Sequence, residues 1–390
     1  MSGPLAGLQV VEFAGLGPAP FAAMLLADLG ADVVRIDRPP APERSDAAPA
    51  WAEGARRYVL HRGRRSVAID LKAPAGRDIA LRLVERSDAL IEGHRPGVME
   101  RLGLGPDDCA ARNPRLVYGR MTGWGQEGPL AATAGHDIDY IALSGALSTV
   151  GRRRERPVPP VNYVGDLGGG GAFLVIGILA ALWESRTSGR GQVVDAAMVD
   201  GSAVLTAMLH GLMAQGRWRD ETGANFADTG SPSYEVYECA DGRHMAVGAI
   251  ERQFYSELLA GLGADETTVG DRSDPVAWPA MKESFAGMFR TRERDEWERI
   301  FAGTDACVAP VLSLTEAPHH PHNRTRGTFV EHGGIVQPAP APRFGRTPAV
   351  LGHTPPAPGD NTEAVLADIG FAPAEIDDLI RSAIVARSTP

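Results

Sequence analysis

Cysteine is scarce in this sequence: Cys109, Cys239 and Cys307 are the only three in 390 residues. Odd in number and far apart, they exclude a disulfide framework and read as reduced thiols, none with a catalytic assignment. An excess of basic charge is also missing, and the formal net charge of −10 argues against nucleic acid as a partner. Glycine (46) and proline (30) never gather into tracts, so the chain is not of the disordered class. The opening Met1-Ser2-Gly3-Pro4-Leu5 lacks the charged and apolar regions of a secretory leader. The most apolar run, 172–183, falls short of the ~20 residues that a membrane-spanning helix needs. Arg387-Ser388-Thr389-Pro390 carries no peroxisomal tripeptide. A Walker loop, a Gly-x-Ser-x-Gly elbow, a His-Glu-x-x-His helix and an internal repeat are all absent. A cytoplasmic protein without membrane contact is expected.

At 44% hydrophobic residues, the chain can bury a sizeable core divided between two domains. Short apolar runs at 8–13, 31–37, 67–71, 89–91 and 116–121 alternate with helical stretches at 21–29 and 76–86. That alternation predicts an open α/β sheet of mainly parallel, right-handed βαβ units. The Pro/Ala-rich stretch 39–50 reads as a surface loop. Residues 172–183 read as a buried helix, 193–195 as a strand and 196–215 as a long helix. The texture then changes. Asp241-Gly242 between 234–240 and 243–250 is a hairpin signal, and helical patches at 253–262, 280–289 and 293–301 precede a strand at 309–312. This is the pattern of a smaller α+β domain. A Pro-rich crossing segment past residue 340 leads to two terminal helices, near 362–369 and 373–384.

Several motifs are ambiguous taken singly. Gly15-x-Gly17 follows a strand and opens a helix, but Pro20 stands where a dinucleotide fingerprint has its third glycine, which argues against NAD(P). Arg38, at a strand's carboxyl end, suits an anionic nucleotide or plain solvent equally. His61-Arg62-Gly63-Arg64-Arg65 offers guanidinium forks for phosphate, or a solvated loop. His136, flanked by Gly135 and ahead of a predicted helix, has the right chemistry for a base near neutral pH, though a lone histidine is as easily structural. Asp166 sits beside Gly168-Gly169-Gly170-Gly171, where glycines let a ligand approach, or where a carboxylate simply caps a turn. His319-His320-Pro321-His322 lacks the cysteines or carboxylates of a tetrahedral set, so no metal is expected.

Taken together and in order, these residues resemble the family III CoA-transferase (CaiB/BaiF-like) superfamily, and within it the branch that racemises α-methylacyl-CoA. The likeness runs along essentially the whole chain. It is carried by Asp28 to Arg38, Ser66 to Lys72, Arg95-Pro96-Gly97-Val98, Arg101-Leu102-Gly103, Gly123-Trp124-Gly125-Gln126, Gly135-His136-Asp137, Gly165-Asp166 and Gly191 to Asp195. The resemblance implies a Rossmann-like large domain at 1–190 that binds CoA, a linker and long helix at 191–224, a small domain at 225–330 and a return segment at 331–390. It implies CoA contacts from Arg38, from Ile69, Asp70, Leu71 and Lys72, from Gly93, His94 and Arg95, from Arg101, and from Gly135, Asp137 and Tyr140. His94 departs from the pattern, since many relatives carry an aromatic residue there. It further implies an interlocked homodimer in which each large domain meets the other chain's small domain. CoA belongs to the substrate, so no separate cofactor is expected.

The same resemblance assigns the chemistry to His136 and Asp166, with Glu251 of the small domain supporting the histidine. An α-proton next to a thioester is weakly acidic, so an enolate must be stabilised and a base placed on each face of Cα. One base removes the proton; the other, protonated, returns one. That requires Asp166 to hold a proton near neutral pH, which implies partial burial. Backbone N–H groups after His136 are candidates for the oxyanion hole, worth about 3 kcal/mol per donor. Met198, Met208 and Met213 are candidates for an adaptable surface under the acyl chain. The competing expectation is CoA transfer between carboxylic acids with Asp166 as nucleophile, which needs no opposing histidine.

Overall fold

The computed structural model describes residues 2–39 and 54–388. The loop expected at 39–50 therefore lies outside the described residues except for Pro39, as do Thr389 and Pro390. The chain divides into two compact units: the first comprises residues 1–144, 161–204 and 324–390, the second 145–160 and 205–323. The second unit thus takes in 145–160, which the sequence pattern had left in the large domain.

The first unit is built on a seven-stranded sheet. Its parallel strands are β1 (Gln9–Phe13), β2 (Asp32–Asp37), β3 (Arg64–Ile69), β4 (Ala89–Glu92), β5 (Val117–Thr122) and β6 (Val193–Ala197). Their spatial order is β3-β2-β1-β4-β5-β6, with a short terminal strand, Val385–Ala386, antiparallel on the β3 edge. The chain winds outward from β1 through β2 and β3, then returns to add β4, β5 and β6. The strand order therefore reverses between β1 and β4, and a crevice opens at their carboxyl ends. Helix α1 (Pro18–Asp28) covers one face and α2 (Pro74–Glu85) the other, each started by a proline whose missing N–H costs a helix nothing at that place. Residues of β1 alternate accordingly: Val10 packs with the α1 layer, Val11 and Phe13 with the α2 layer.

β3 begins three residues before its apolar run, and the reason lies in charge. Arg64 is fully buried and its guanidinium meets Glu12 of β1 at 2.6 Å. On the same sheet face Arg35 binds Asp37, which also accepts from Ser66. Arg62 forks onto buried Asp28 and reaches Gln337, and Arg65 binds Asp32 and Asp368. The basic cluster at 61–65 is thus neither a phosphate cradle nor a solvated loop. Its arginines are spent on ion pairs that a hydrophobicity pattern cannot register.

A π-helical segment, Tyr163–Ala172, continues directly into helix α4 (Phe173–Ser188), with helix α3 (Asp137–Leu143) earlier in the chain. At 26 residues, Tyr163–Ser188 is long and apolar enough by length and composition to cross a membrane, which the apolar run alone had not suggested. In this structure Leu174 and Ile178 pack onto the sheet, both within 3.0 Å of where a Cβ on Gly119 would lie. The long helix expected at 196–215 is broken. β6 extends to Ala197, α5 (Met198–Leu205) follows, and α6 (Ala207–Ala214) lies in the second unit. The return segment expected from residue 331 begins within a hairpin, Phe329–His332 with Ile335–Pro338.

The second unit holds a three-stranded antiparallel sheet of β7 (Tyr234–Glu238), β8 (His244–Gly248) and β9 (Val308–Pro310). The turn between β7 and β8 falls at Asp241-Gly242, with Gly242 at φ 74°, where a side chain would be strained. Helices α7 (Arg252–Leu262), α8 (Trp278–Phe289) and α9 (Arg294–Phe301) cover the sheet around an aromatic core in which Tyr237 stacks on Phe289.

Candidate active site

A cavity of about 1240 Å³ occupies the crevice at the carboxyl ends of the parallel strands. Each strand contributes through the loop that leaves it: Ala14 to Pro18 after β1, Asp37 and Arg38 at β2, Gly93 to Pro96 after β4, Gly123 and Trp124 after β5, and Met198 after β6. Segment 133–136, Tyr140 and Asp166 also line the wall, as do Tyr58 and His61 ahead of β3. All belong to the first unit.

His136 is exposed in this cavity as the N-cap of α3, its backbone extended at φ −132°, ψ 173°. Its N–H donates to Asp139 Oδ2 at 2.9 Å, which holds the histidine at the head of the helix. Of the N–H groups that follow, those of Asp139 and Tyr140 are taken by the His136 carbonyl, leaving those of Asp137 and Ile138 as oxyanion candidates. Asp166 lies in the first turn of the π-helical segment and is half-buried. Its Oδ2 accepts from Asn162 Nδ2 at 3.1 Å, and a Cβ on Gly17 would sit 3.2 Å from that oxygen. Gly17, at φ 61°, is therefore a glycine that lets the first loop close over a carboxylate, not over a pyrophosphate.

The segment carrying Asp166 is seated by its glycines. A Cβ on Gly201 of α5 would fall 1.8 Å from the Gly169 carbonyl oxygen, and one on Gly171 would strike Phe21 and Pro18 of α1. The four-glycine run thus serves close helix packing; the approach of a ligand is to Asp166 itself. Asp137, expected to touch CoA, is 6% exposed and absent from the cavity wall. Its carboxylate turns inward, where Oδ1 accepts the Asp166 N–H at 2.6 Å. Burial, with the nearby Asp166 charge, raises its pKa even against that hydrogen bond.

Tyr140 is buried edge-on against Trp124, ring centroids 4.8 Å apart. Gly123 and Gly135 leave room for its ring, since a Cβ on either would lie within 2.7 Å of it. Burial and the Asp166 charge push its phenol up to about 12, so it stays a neutral donor at neutral pH. At the β4 loop, the His94 N–H donates to buried Glu92 at 2.7 Å, and Glu92 also receives Arg120. Burial, and then Arg38, lower the His94 pKa. Arg38 and Arg95 give this stretch of the wall its basic character.

The structure therefore brings Arg38, Gly93, His94, Arg95, Gly135, His136, Tyr140 and Asp166 to one cavity. Ile69, Asp70, Leu71 and Lys72 lie at the end of β3 outside its wall; the Ile69 side chain is core, and the Lys72 N–H donates to Asp70. Arg101 is exposed beside Gly97, also off the wall. Glu251 is in the second unit, exposed at the N-cap of α7. Met198 lines the cavity, whereas Met208 and Met213 are exposed on α6 of the second unit. The motifs had missed Asn162. Its only sequence signal is a spacing of four before Asp166, legible once 163–172 is known to be helical. No group of three or more metal-binding side chains occurs among the described residues, and His320 is paired with Glu298.

Comparison with known proteins bears on the family. The CoA-transferase family III profile matches residues 5–362. The chain is 46% identical to an alpha-methylacyl-CoA racemase of Mus musculus, covering 98% of this chain and 97% of that protein. It is 45% identical to the Homo sapiens protein of the same name, with the same coverage. Among solved structures, a CAIB/BAIF family protein from Brucella suis superposes with a TM-score of 0.80 at 25% identity, covering 95% of this chain and 100% of that one. An open parallel sheet with reversed strand order, a basic crevice at its switch point and these likenesses along nearly the whole length lead to one assignment: the chain belongs to CoA-transferase family III.

Proposed function

We propose that this protein racemises 2-methylacyl-CoA thioesters at Cα by two-base proton transfer. The observation that carries the reading is that His136 and Asp166 line one cavity while Asp137, next to His136 in sequence, hydrogen-bonds the Asp166 backbone. An imidazole and a carboxyl group can then address opposite faces of a single carbon. One takes the α-proton, the electron pair moves onto the thioester oxygen as an enolate, and the other returns a proton to Cα. The reverse reaction exchanges the roles. The N–H groups of Asp137 and Ile138 suit the enolate oxygen. One proton leaves Cα and a second replaces it from the opposite face with no change of oxidation state, so the proposal includes no cofactor beyond the substrate's own CoA. Arg38 and Arg95 favour its phosphates, and Met198 an adaptable apolar chain.

The working form in this proposal is an interlocked homodimer, in which Glu251 of the partner subunit supports His136. Exposed Ile176 and Trp183 on α4, and an α6 without one buried residue, favour apolar surface awaiting cover.

Pure protein incubated with an (R)- or (S)-2-methylacyl-CoA in deuterium oxide tests the reaction. Expected are loss of optical activity and deuterium at Cα with no second acid present, and, in His136→Ala, loss of inversion together with loss of exchange from the enantiomer whose α-proton faces His136. CoA moving between acids without Cα exchange would instead identify Asp166 as a transferase nucleophile.

A further inference from the structure

We propose that Asp137 is a positioning residue that fixes the separation of the two proton-transferring groups by tethering the Asp166 backbone to the segment carrying His136. The proposal rests on the racemase reading and deepens it. Asp137 follows His136 directly, so its backbone position is set by the same capped helix start. Its Oδ1 receives the Asp166 N–H at 2.6 Å, at the short end for an N–H donor. Gly165 completes the fit, since a Cβ there would lie 2.6 Å from the same oxygen and push the segments apart. From the other side Asn162 holds the Asp166 carboxylate. The result is one continuous chain of contacts: Asp139 on His136, then Asp137 on Asp166, then Asn162 on Asp166.

Two further observations separate this role from catalysis and from ordinary packing. The Asp137 carboxylate turns inward onto the Asp166 backbone and the residue is absent from the cavity wall, so that side chain does not touch substrate. Its Oδ2 is buried with no hydrogen-bond partner among the described residues, an unfavourable placement that simple stability does not explain. A smaller or apolar side chain would avoid that cost but would release Asp166. Two bases acting on one carbon are sensitive to separation, because a misplacement of about 1 Å can cost on the order of 100-fold in rate.

The test uses Asp137→Asn, Asp137→Ala and Asp137→Glu in the full chain, with inversion and Cα deuterium exchange measured for each enantiomer. Asparagine keeps an acceptor at the same distance and should retain more than about a tenth of the inversion rate. Alanine removes the tether, and glutamate keeps the carboxyl group but displaces it by one methylene. Both should lose inversion by about 100-fold with KM within about threefold. In these two variants, the enantiomer whose α-proton faces His136 should go on exchanging without inverting. That signature reports a displaced Asp166 and would not arise from general loss of fold. The proposal is overturned if glutamate retains full inversion, if asparagine falls as far as alanine, or if exchange and inversion fall together for both enantiomers. Wild-type protein that exchanges no Cα proton would overturn the racemase reading, and this proposal with it.

Discussion

His61 lines the cavity as a neutral imidazole, for burial and then the positive charges of Arg35 and Arg64 hold its pKa down to about 2. Its ordinary value is 6.5. Between those two values the unfolded chain binds a proton that the folded chain refuses, so stability falls as pH drops below 6.5, by up to about 1.4 kcal/mol per pH unit. His61→Gln removes this contribution. The unfolding free energy of wild type, measured at pH 7.5 and 5.0, should therefore fall by about 1–2 kcal/mol more than that of the variant. Parallel losses in the two proteins would show that His61 titrates normally. The same residue illustrates what single side chains disclose in a sequence. Type and neighbours suggested that His136 and Asp166 are chemical, since each occupies a Gly-flanked turn. The string His61 to Arg65 suggested phosphate with equal force, yet Arg62 and Arg64 are buried against Asp28 and Glu12, and half-buried Arg65 pairs with Asp32. Whether an arginine has a resident carboxylate depends on which strand lies beside it.

Among the elements, the π-helical segment and α5 form the crossing on which Asp166 depends. Gly169 and Gly201 meet there backbone to backbone. Gly201→Ala should destabilise the protein by about 2–3 kcal/mol through overpacking and depress activity further by shifting the Asp166 turn. A control in a helix interior is Gly287→Ala in α8, where nothing lies within 4 Å of the new Cβ. It should be neutral or stabilising by up to about 1 kcal/mol. Denaturant unfolding of both variants decides the matter, and equal stabilities would refute the packing argument. Periodicity located β1, β2, β4 and β5 within a residue or two, because apolar runs between helices admit little else. It could not find the start of β3, whose buried positions are Arg64 and Ser66, or the break between α5 and α6. That break falls where the chain passes from the first unit to the second.

At the scale of the molecule, the exposed apolar side chains of α4 and α6 bear on assembly. The proposed homodimer predicts a solution mass of twice 41.3 kDa by light scattering. Trp183, 73% exposed, and Ile176 are the side chains whose replacement by aspartate should shift the distribution toward monomer. Because Glu251 would come from the partner subunit, activity should fall with dissociation. A wild-type mass of one chain would remove the dimer from the proposal.

The sequence by itself determined the fold class and the family, because the βα alternation and the order of motifs are properties of a line of residues. It also nominated His136 and Asp166. Tertiary structure alone decided what surrounds them. Helix α3 and the π-helical segment, 29 residues apart in sequence between Asp137 and Asp166, meet through one buried carboxylate. The glycines after Asp166 pack helices, Gly17 closes over the carboxylate, and Arg64 at the start of β3 is buried in the sheet. Each of these depends on which distant backbone lies within a few ångströms, a distance that neither composition nor spacing encodes.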